Sequence, residues 1–230
     1  MKGRSKLYPY ADGSRFAGKS PQEIFRLIME GNTWIGEESL SGTGSSLEQA
    51  SVLIAQLPEL FRKLGIRTLL DIPCGDFNWM QKVDLGAVQY TGADIVSELV
   101  VANKQRYQRK NLTFLQQDLI NDELGAFDMV FCRDCLVHLS FTDIFSALEN
   151  IKRSGSKYFM TTTFPGEETN ANIDTGGWRP LNLAKPPFQF PPPLYLLNEQ
   201  CTEMDGAFAD KSMGVWEVGM LPVPVEWLDG

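Results

Sequence analysis

The sequence of 230 residues is long enough for one domain with a complete apolar core. Hydrophobic residues make up 43% and charged residues 22%, which is typical of a globular protein and excludes a disordered or fibrous chain. The formal net charge of −8 argues against general binding to nucleic acid or to an anionic membrane, because both require a basic face.

The first 45 residues predict an N-terminal helical cap segment (residues 1–45) in front of the main domain. The charged start, Met1–Lys6, is not followed by the apolar segment of a signal peptide. No later run approaches the roughly 20 apolar residues that span a bilayer, so we expect a cytoplasmic protein with no membrane partner. Ser20 and Pro21 are typical of a helix N-terminus, and Gly31 ends the apolar periodicity that follows them.

The main domain is predicted to occupy residues 46–230, and it opens with a helix over about 46–64 that Gly65 ends. Short apolar runs then alternate with helical segments. The predicted strands are Thr68–Ile72, Val88–Asp94, Leu112–Leu115, Phe127–Cys132 and Lys157–Thr163, and the predicted helices are Val96–Arg109 and Phe141–Arg153. Such alternation predicts an α/β fold with a doubly wound, mostly parallel sheet.

The alternation stops after Thr163, where a segment rich in proline and aromatic residues begins. Six of the 13 prolines fall between Pro180 and Pro193. A disordered linker is poor in aromatic residues, so we expect residues 164–195 to form an ordered loop across the open end of the sheet. A last strand, Ser212–Val218, is predicted to be antiparallel at or near the sheet edge.

The four cysteines allow two interpretations. Cys132 and Cys135 form a C-x-x-C pair, and a zinc site would add His138 and either Cys201 or Cys74. However, Cys132 ends an apolar run that predicts a buried strand, where a free cysteine is common. Since only one C-x-x-C pair is present, we favour free cysteines and no metal.

The loop after the first strand, Leu69–Trp79, is the best candidate for a cofactor site, since ligands of doubly wound sheets bind at the carboxyl ends of the strands. It has one glycine, Gly75, rather than the G-x-G-x-x-G of dinucleotide-binding loops. Asp76 follows where a phosphate would lie, and its charge would repel that phosphate. This pattern disfavours NAD and ATP and favours a cationic cofactor such as S-adenosylmethionine (SAM).

Four segments in the expected order resemble the motifs of class I SAM-dependent methyltransferases, with a Rossmann-like fold. Leu69–Asp76 resembles a shortened motif I, and Ala93–Asp94 matches the acidic motif of the second strand. Gln117–Leu119 matches the motif after the third strand, and Phe127–Leu139 resembles the fourth-strand motif with its L-x-H-L ending. The resemblance covers about residues 46–163 and implies a SAM-binding domain.

The resemblance also implies cofactor contacts for individual residues. Asp94, which lies about 20 residues after Asp71, would accept hydrogen bonds from the ribose hydroxyls. Asp118 would accept from the adenine amino group, next to the backbone N–H of Leu119. Asp76 would face the cofactor's ammonium. The other predicted cofactor contacts are Asp71, Gly75, Trp79, Ile95, Cys132 and Arg133.

Four interpretations of this region have open alternatives. Asp94 is otherwise explained as a turn residue at a strand end. Trp79 is as well explained by a place in the core. Arg133 either binds the cofactor's carboxylate or is a solvated residue at a helix start. The segment Ser41–Ser45 either closes over the methionine carboxylate through its backbone N–H groups or is a simple loop between helices.

The acceptor is predicted to be a small molecule, because no basic stripe accompanies the aromatic residues as in nucleic-acid enzymes. His138, the single histidine, is the first candidate for a general base, with Asp134 as a second; alternatively His138 only packs. The loop at 164–195 is predicted to supply the acceptor pocket; alternatively, its aromatic residues only cover the sheet edge in place of a missing helix. Its predicted acceptor contacts are Trp178, Arg179, Asn182, Phe188, Phe190 and Tyr195.

The sequence therefore predicts methyl transfer from SAM to an oxygen or nitrogen of a small-molecule acceptor. The alternative is a SAM-binding scaffold or sensor without catalysis, because the cofactor motifs fit both. An NAD-dependent sugar-modifying enzyme is disfavoured by the loop at Asp71–Asp76. The oligomeric state is left open.

Overall fold

The computed structural model describes residues 12–222, and its centre is a seven-stranded sheet. The strands are β1 (Thr68–Asp71), β2 (Gln89–Asp94), β3 (Leu112–Gln116), β4 (Met129–Cys132), β5 (Tyr158–Thr163), β6 (Tyr195–Asn198) and β7 (Ser212–Glu217). Their order across the sheet is β3-β2-β1-β4-β5-β7-β6. β1 to β5 pair in parallel, whereas β7 is antiparallel to both β5 and β6. The predicted doubly wound, mostly parallel sheet is confirmed.

In residues 12–222, four helices of ten or more residues accompany the sheet, together with a single short turn, α5 (Glu203–Gly206). The four are α1 (Pro21–Glu30), α2 (Ser51–Leu64), α3 (Ser97–Tyr107) and α4 (Phe141–Arg153). Apolar side chains form a separate buried cluster on each face of the sheet. Parallel strands covered on both faces leave their carboxyl ends as the accessible edge, which is where a ligand binds in such folds. No helix in residues 12–222 is long and apolar enough to cross a membrane.

Several predicted element boundaries differ from the structure for local reasons. α2 begins at Ser51 rather than near residue 46, because Ser46 Oγ accepts from the N–H of Gln49 and caps a separate turn. α3 ends at Tyr107, since Arg109 pairs with Leu112 in an isolated bridge. The L-x-H-L segment is not helical throughout. His138 ends a 3₁₀ turn, Leu136–His138, ahead of α4.

The sequence missed β6, which lies at the sheet edge directly after the proline-rich run. Because β6 pairs with β7 on its outer side, β7 is the second strand from this edge, in agreement with the prediction that it lies near the edge. Tyr195 and Leu196 are exposed although they are apolar, so β6 lacks the regular alternation of a half-buried strand.

The N-terminal segment packs on the rest of the chain through α1. Ser20 and Glu23 form a reciprocal capping box at its start, as the Ser20–Pro21 pair predicts. Phe16, Ile24 and Ile28 form a small buried cluster beneath it. The cap segment predicted for residues 1–45 includes residues 1–11, which lie outside the described part of the chain. The division into cap and main domain stays a prediction.

Candidate active site

A deep pocket lies at the carboxyl ends of β1, β2 and β4, in the place that the fold favours for a ligand. It encloses about 1120 Å³ of space, part of which is open to solvent. The N-terminal segment forms its roof through Phe25, Met29, Trp34 and Ser41. Nine of the ten predicted cofactor contacts line it: Asp71, Gly75, Asp76, Trp79, Asp94, Ile95, Asp118, Leu119 and Arg133. We call it the cofactor pocket.

Cys132 is the tenth predicted contact, and it does not line the cofactor pocket. Its side chain is fully buried within β4, which agrees with the interpretation of Cys132 as a buried free cysteine in a strand. Among residues 12–222, no group of three or more His, Cys, Asp and Glu side chains is arranged to hold a metal ion.

Asp94 connects the motif I loop to the end of β2. One carboxylate oxygen accepts from the N–H of Gly75 at 3.0 Å, and the other accepts from the N–H of Val96 at 2.9 Å. Asn103 completes the loop by donating to the Gly75 carbonyl at 2.8 Å. Each carboxylate oxygen of Asp94 keeps a second lone pair, so the group is fixed in position and can still accept from a ligand.

Two buried carboxylates therefore face the same pocket. Burial raises the pKa of Asp71 to about 7, although Tyr90 Oη donates to it at 2.6 Å. Burial likewise raises the pKa of Asp94 to about 6. Both shifts mean that the negative charge is poorly solvated in the free protein, so a cationic ligand would stabilise it and a phosphate would not.

Asp76 ties the N-terminal segment to the motif I loop. Its carboxylate accepts from Ser39 Oγ at 2.9 Å and from the N–H of Leu40 at 2.8 Å. Gly75 next to it has a φ of +56°, and a Cβ there would lie 2.1 Å from Ser41 Oγ. Only glycine allows this close approach. Asp76 also lines the cofactor pocket, and its contact with the ammonium stays a prediction.

At the adenine side of the predicted site, Asp118 is already partly engaged by its own loop. Its two carboxylate oxygens accept from the N–H of Ile120 at 2.8 Å and from the side-chain amide of Asn121 at 2.7 Å. These contacts form a turn that presents Asp118 and Leu119 to the pocket. Their contacts with adenine stay predictions.

The sequence missed a buried ion cluster after β4, formed by Arg133, Asp134, Glu199 and Lys211. Arg133 donates to Glu199 at 2.6 Å and also to the carbonyl of Gly44 at 2.8 Å. Lys211 Nζ lies 2.5 Å from Asp134 Oδ2 and 3.7 Å from Glu199 Oε2. The guanidinium is buried, so it is not a solvated residue at a helix start. Its Nε and Nη2 donors are used within the protein, but Arg133 also lines the cofactor pocket, so its contact with the cofactor's carboxylate stays a prediction.

Trp79 packs between this cluster and the sheet. Its ring centroid lies 6.0 Å from that of Phe131, and the guanidinium carbon of Arg133 lies 5.3 Å from the ring. The side chain is buried, as the core interpretation requires, and it also forms part of the pocket wall. One tryptophan thus supports both the core and the pocket.

Asp134 is unsuited to the predicted role of general base. Burial alone would raise its pKa, but Lys211 and Arg133 outweigh this effect and lower the pKa to about 2. Its oxygens are also occupied, because Oδ2 accepts from Lys211 and lies 3.5 Å from Arg133, and Oδ1 accepts from Thr162. Asp134 and Glu199 together balance the charges of Arg133 and Lys211.

His138 is held in one tautomer at the pocket wall. Its Nδ1 lies 2.8 Å from the carbonyl oxygen of Gly177, and since a carbonyl only accepts, Nδ1 carries the proton and Nε2 the lone pair. The ring stacks on Trp34 with centroids 4.6 Å apart. Burial lowers the pKa of His138 to about 4, so the ring is neutral at pH 7 and can accept a hydrogen bond.

A second pocket meets the cofactor pocket at four shared residues: Trp34, Ser41, Asp134 and His138. It encloses about 430 Å³ of space, including open solvent. The rest of its wall is Gly42, Gly44, Phe164, Trp178, Glu203, Phe208 and Lys211. We call it the acceptor pocket. Trp178 is the only predicted acceptor residue in this wall, and Trp34, Phe164, Phe208, Glu203 and Lys211 had no signal in their local sequence.

The predicted acceptor residues Arg179 and Asn182 instead hold the loop at 164–195 together. Arg179 is buried and donates to the carbonyls of Leu136 and Leu139 at 2.8 and 2.6 Å. Asn182 donates to the carbonyls of Pro165 and Glu167 at 3.0 and 2.8 Å. Their donors are used by the backbone, which corrects the expectation that they bind the acceptor.

The remaining aromatic predictions need the same correction. Phe188 and Phe190 are buried in the core on the α4 face of the sheet, where Phe188 packs on Phe145 and Phe190 packs on Trp216. Tyr195 lies on β6 at the sheet edge, and neither pocket includes it. Phe188 and Phe190 therefore help to cover one face of the sheet.

Comparison with known proteins supports a methyltransferase domain in this fold. Residues 70–154 match the family model of a methyltransferase domain, and no curated protein matches the chain. The structure is similar to PigF in complex with S-adenosylhomocysteine (SAH), with a TM-score of 0.51 and 15% identity over 73% of this chain and 55% of that chain. It is also similar to the N-methyltransferase NodS from Bradyrhizobium japonicum WM9, with a TM-score of 0.50 and 14% identity over 60% of this chain and 72% of that chain.

A third similar structure is magnesium protoporphyrin IX methyltransferase from Synechocystis PCC 6803. The identity is 19% and the TM-score 0.43, over 53% of this chain and 58% of that chain. The aligned region thus spans little more than half the length of that protein and of PigF. The match of residues 70–154, from β1 to α4, to a methyltransferase domain confirms the resemblance of the motifs to class I SAM-dependent methyltransferases, and the strand order agrees with a Rossmann-like fold.

Proposed function

We propose that the protein transfers a methyl group from SAM to an oxygen or nitrogen of a small-molecule acceptor. The observation that carries this proposal is the junction of two pockets at His138 and Trp34. One pocket contains the predicted SAM contacts, and the other is a separate space with polar and aromatic walls. A binding module without catalysis has no need of a second pocket at the place where the methyl group would lie.

The residues of the cofactor pocket fit SAM. SAM carries a sulfonium and an ammonium and no phosphate, and Asp71 and Asp94 are buried carboxylates that a cation would stabilise. When bound, SAM supplies an electrophilic methyl group. The chain contributes position and exclusion of water, which provide most of the acceleration in a direct displacement.

His138 has the geometry of a general base in this scheme. Gly177 fixes its tautomer and Trp34 fixes its ring plane, so Nε2 is available to accept a proton or a hydrogen bond from the acceptor. The small volume of the acceptor pocket supports a small molecule rather than a nucleic acid. A cytoplasmic location stays a prediction.

Two measurements test the proposal together. Calorimetry with SAH and NAD on the wild-type protein is expected to detect SAH binding and no NAD binding. Release of SAH from methyl-labelled SAM with a panel of small alcohols and amines is expected to detect turnover. SAH binding without turnover of any acceptor class would support the scaffold or sensor alternative, and tighter NAD binding would refute the cofactor assignment.

A further inference from the structure

The charges around the acceptor pocket limit the kind of acceptor that it can bind. Two cations, Arg133 and Lys211, lie next to the pocket, and a carboxylate or phosphate on the acceptor would need one of them. Both are already paired with protein carboxylates. Arg133 is paired with Glu199 at 2.6 Å, and Lys211 is paired with Asp134 at 2.5 Å. Within this buried group the two positive and two negative charges cancel.

Glu203 adds a negative charge to the pocket wall. Its carboxylate accepts from Thr43 Oγ1 at 2.6 Å and lies 3.7 Å from Cys201 Sγ, and both of these groups are neutral. Within the part of the chain that the structure describes, Glu203 has no ion pair within 4.0 Å, although its charge raises the pKa of Arg133 and Lys211 from a longer distance. The pocket therefore has a net formal charge of −1 once the paired groups have cancelled.

Gly44 brings these charges close to one another. A Cβ on Gly44 would lie 3.3 Å from Glu203 Oε2, 3.6 Å from Asp134 Oδ2 and 3.6 Å from Lys211 Nζ. The Glu203 and Asp134 carboxylates and the Lys211 ammonium thus border the same small space. Two negative charges and one positive charge meet there, so a positively charged acceptor would balance the charge and a negatively charged one would increase the excess.

Aromatic rings also form part of the wall. Phe164, Trp178 and Phe208 pack edge to face, with centroids 5.0 to 6.2 Å apart, and Trp34 lies on the side of His138. Ring faces and edges accommodate an apolar body, and ring faces also attract cations. A carboxylate next to aromatic rings is a common way to recognise an ammonium group.

We infer that the acceptor pocket binds a small amine with an apolar body, with Glu203 as the residue that selects it. The inference rests on the proposed function and narrows its acceptor class to nitrogen. The ammonium binds next to Glu203 and loses one proton to His138 Nε2. The nitrogen lone pair then forms the bond to the methyl carbon, the carbon–sulfur electron pair stays on sulfur, and the product is an N-methylated ammonium and SAH.

A binding experiment with matched probes tests this inference without requiring turnover. The probes are 2-phenylethylamine, 2-phenylethanol and 3-phenylpropionate, together with tryptamine, tryptophol and indole-3-propionate. Each is titrated into the protein saturated with SAH. We expect each amine to bind at least tenfold more tightly than the alcohol and the carboxylate of its series.

Two variants link the preference to the named residue. Glu203→Gln keeps an oxygen that accepts from Thr43, and it is expected to reduce the preference for amines at least fivefold. Glu217→Gln removes an exposed carboxylate at the end of β7 and is expected to leave the preference unchanged. Thermal melting of both variants controls for folding.

The outcomes separate this inference from the proposed function. Equal binding of the three members of a series, tighter binding of an alcohol or carboxylate, or an unchanged preference in Glu203→Gln would overturn the amine assignment while SAH binding stands. Absence of SAH binding by the wild-type protein would overturn both. A preference for amines that depends on Glu203 would support the assignment.

Discussion

Replacement of Asp94 tests the cofactor site most directly. Its carboxylate is fixed by two backbone donors, Gly75 and Val96, and each oxygen keeps one lone pair for a ribose hydroxyl. Hydrogen bonds to a charged acceptor contribute about 1.5–3 kcal/mol in total here, so Asp94→Asn should raise the Kd of SAH roughly 10- to 150-fold. Isothermal titration calorimetry at pH 8, above the pKa of about 6, compares the fully ionised carboxylate with the amide.

The Asn variant also replaces one acceptor oxygen by an amide that cannot accept, so the loop loses one of its two backbone anchors. A control should therefore lose a similar contact far from the pocket. Asp84→Asn is suitable, because Asp84 is exposed and accepts from the N–H of Gly86 at 3.0 Å. If Asp94→Asn melts like this control and binds SAH within threefold of the wild type, the ribose assignment is refuted.

Three further predictions follow from the same contacts. SAH binding should release protons and become tighter as the pH rises from about 5 to about 7. The reason is that burial raises the pKa of Asp71 to about 7 and that of Asp94 to about 6, and the bound ammonium lowers both again. Calorimetry in buffers of different ionisation enthalpy measures this proton release, and a pH-independent Kd would contradict it. His138→Asn keeps a donor for the Gly177 carbonyl but lacks the Nε2 lone pair, so kcat should fall roughly 10²- to 10⁴-fold while the affinity for SAH stays unchanged. An unchanged kcat would show that the role of His138 is structural. Phe188→Ala should lower the free energy of unfolding by about 3–5 kcal/mol and leave the Kd of SAH unchanged, because Phe188 is a core residue. A denaturant titration that detects no loss of stability would contradict its place in the core.

The sequence determined the sheet and the cofactor edge because both depend on local patterns. Each strand is a short apolar run, and the residue that follows it lies at the carboxyl edge wherever the strands are parallel. Asp71, Asp94 and Asp118 occupy such positions, so their meeting in one pocket follows from strand order alone. Gly75 also has a local signal, since a single glycine after a strand indicates a backbone turn.

The acceptor side depended on contacts between distant parts of the chain. The aromatic composition of the loop predicted that Trp178 lines a pocket, and it does. The same composition gave the same prediction for Phe188, which lies ten residues later and packs in the core. Arg179 has the same ambiguity, because only the folded loop shows that three backbone carbonyls use its donors.

Only the tertiary structure decided the electrostatics of the site. Arg133 pairs with Glu199, which lies 66 residues away along the chain, and Asp134 pairs with Lys211, 77 residues away. The N-terminal segment likewise reaches the motif I loop through Asp76 and Ser39. The partner of a charged residue cannot be predicted from its position in the sequence, because an ion pair depends on burial and distance in the folded chain. For this reason the sequence by itself predicted which residues line the cofactor pocket, whereas the fold decided which charges of the second pocket are paired within the protein.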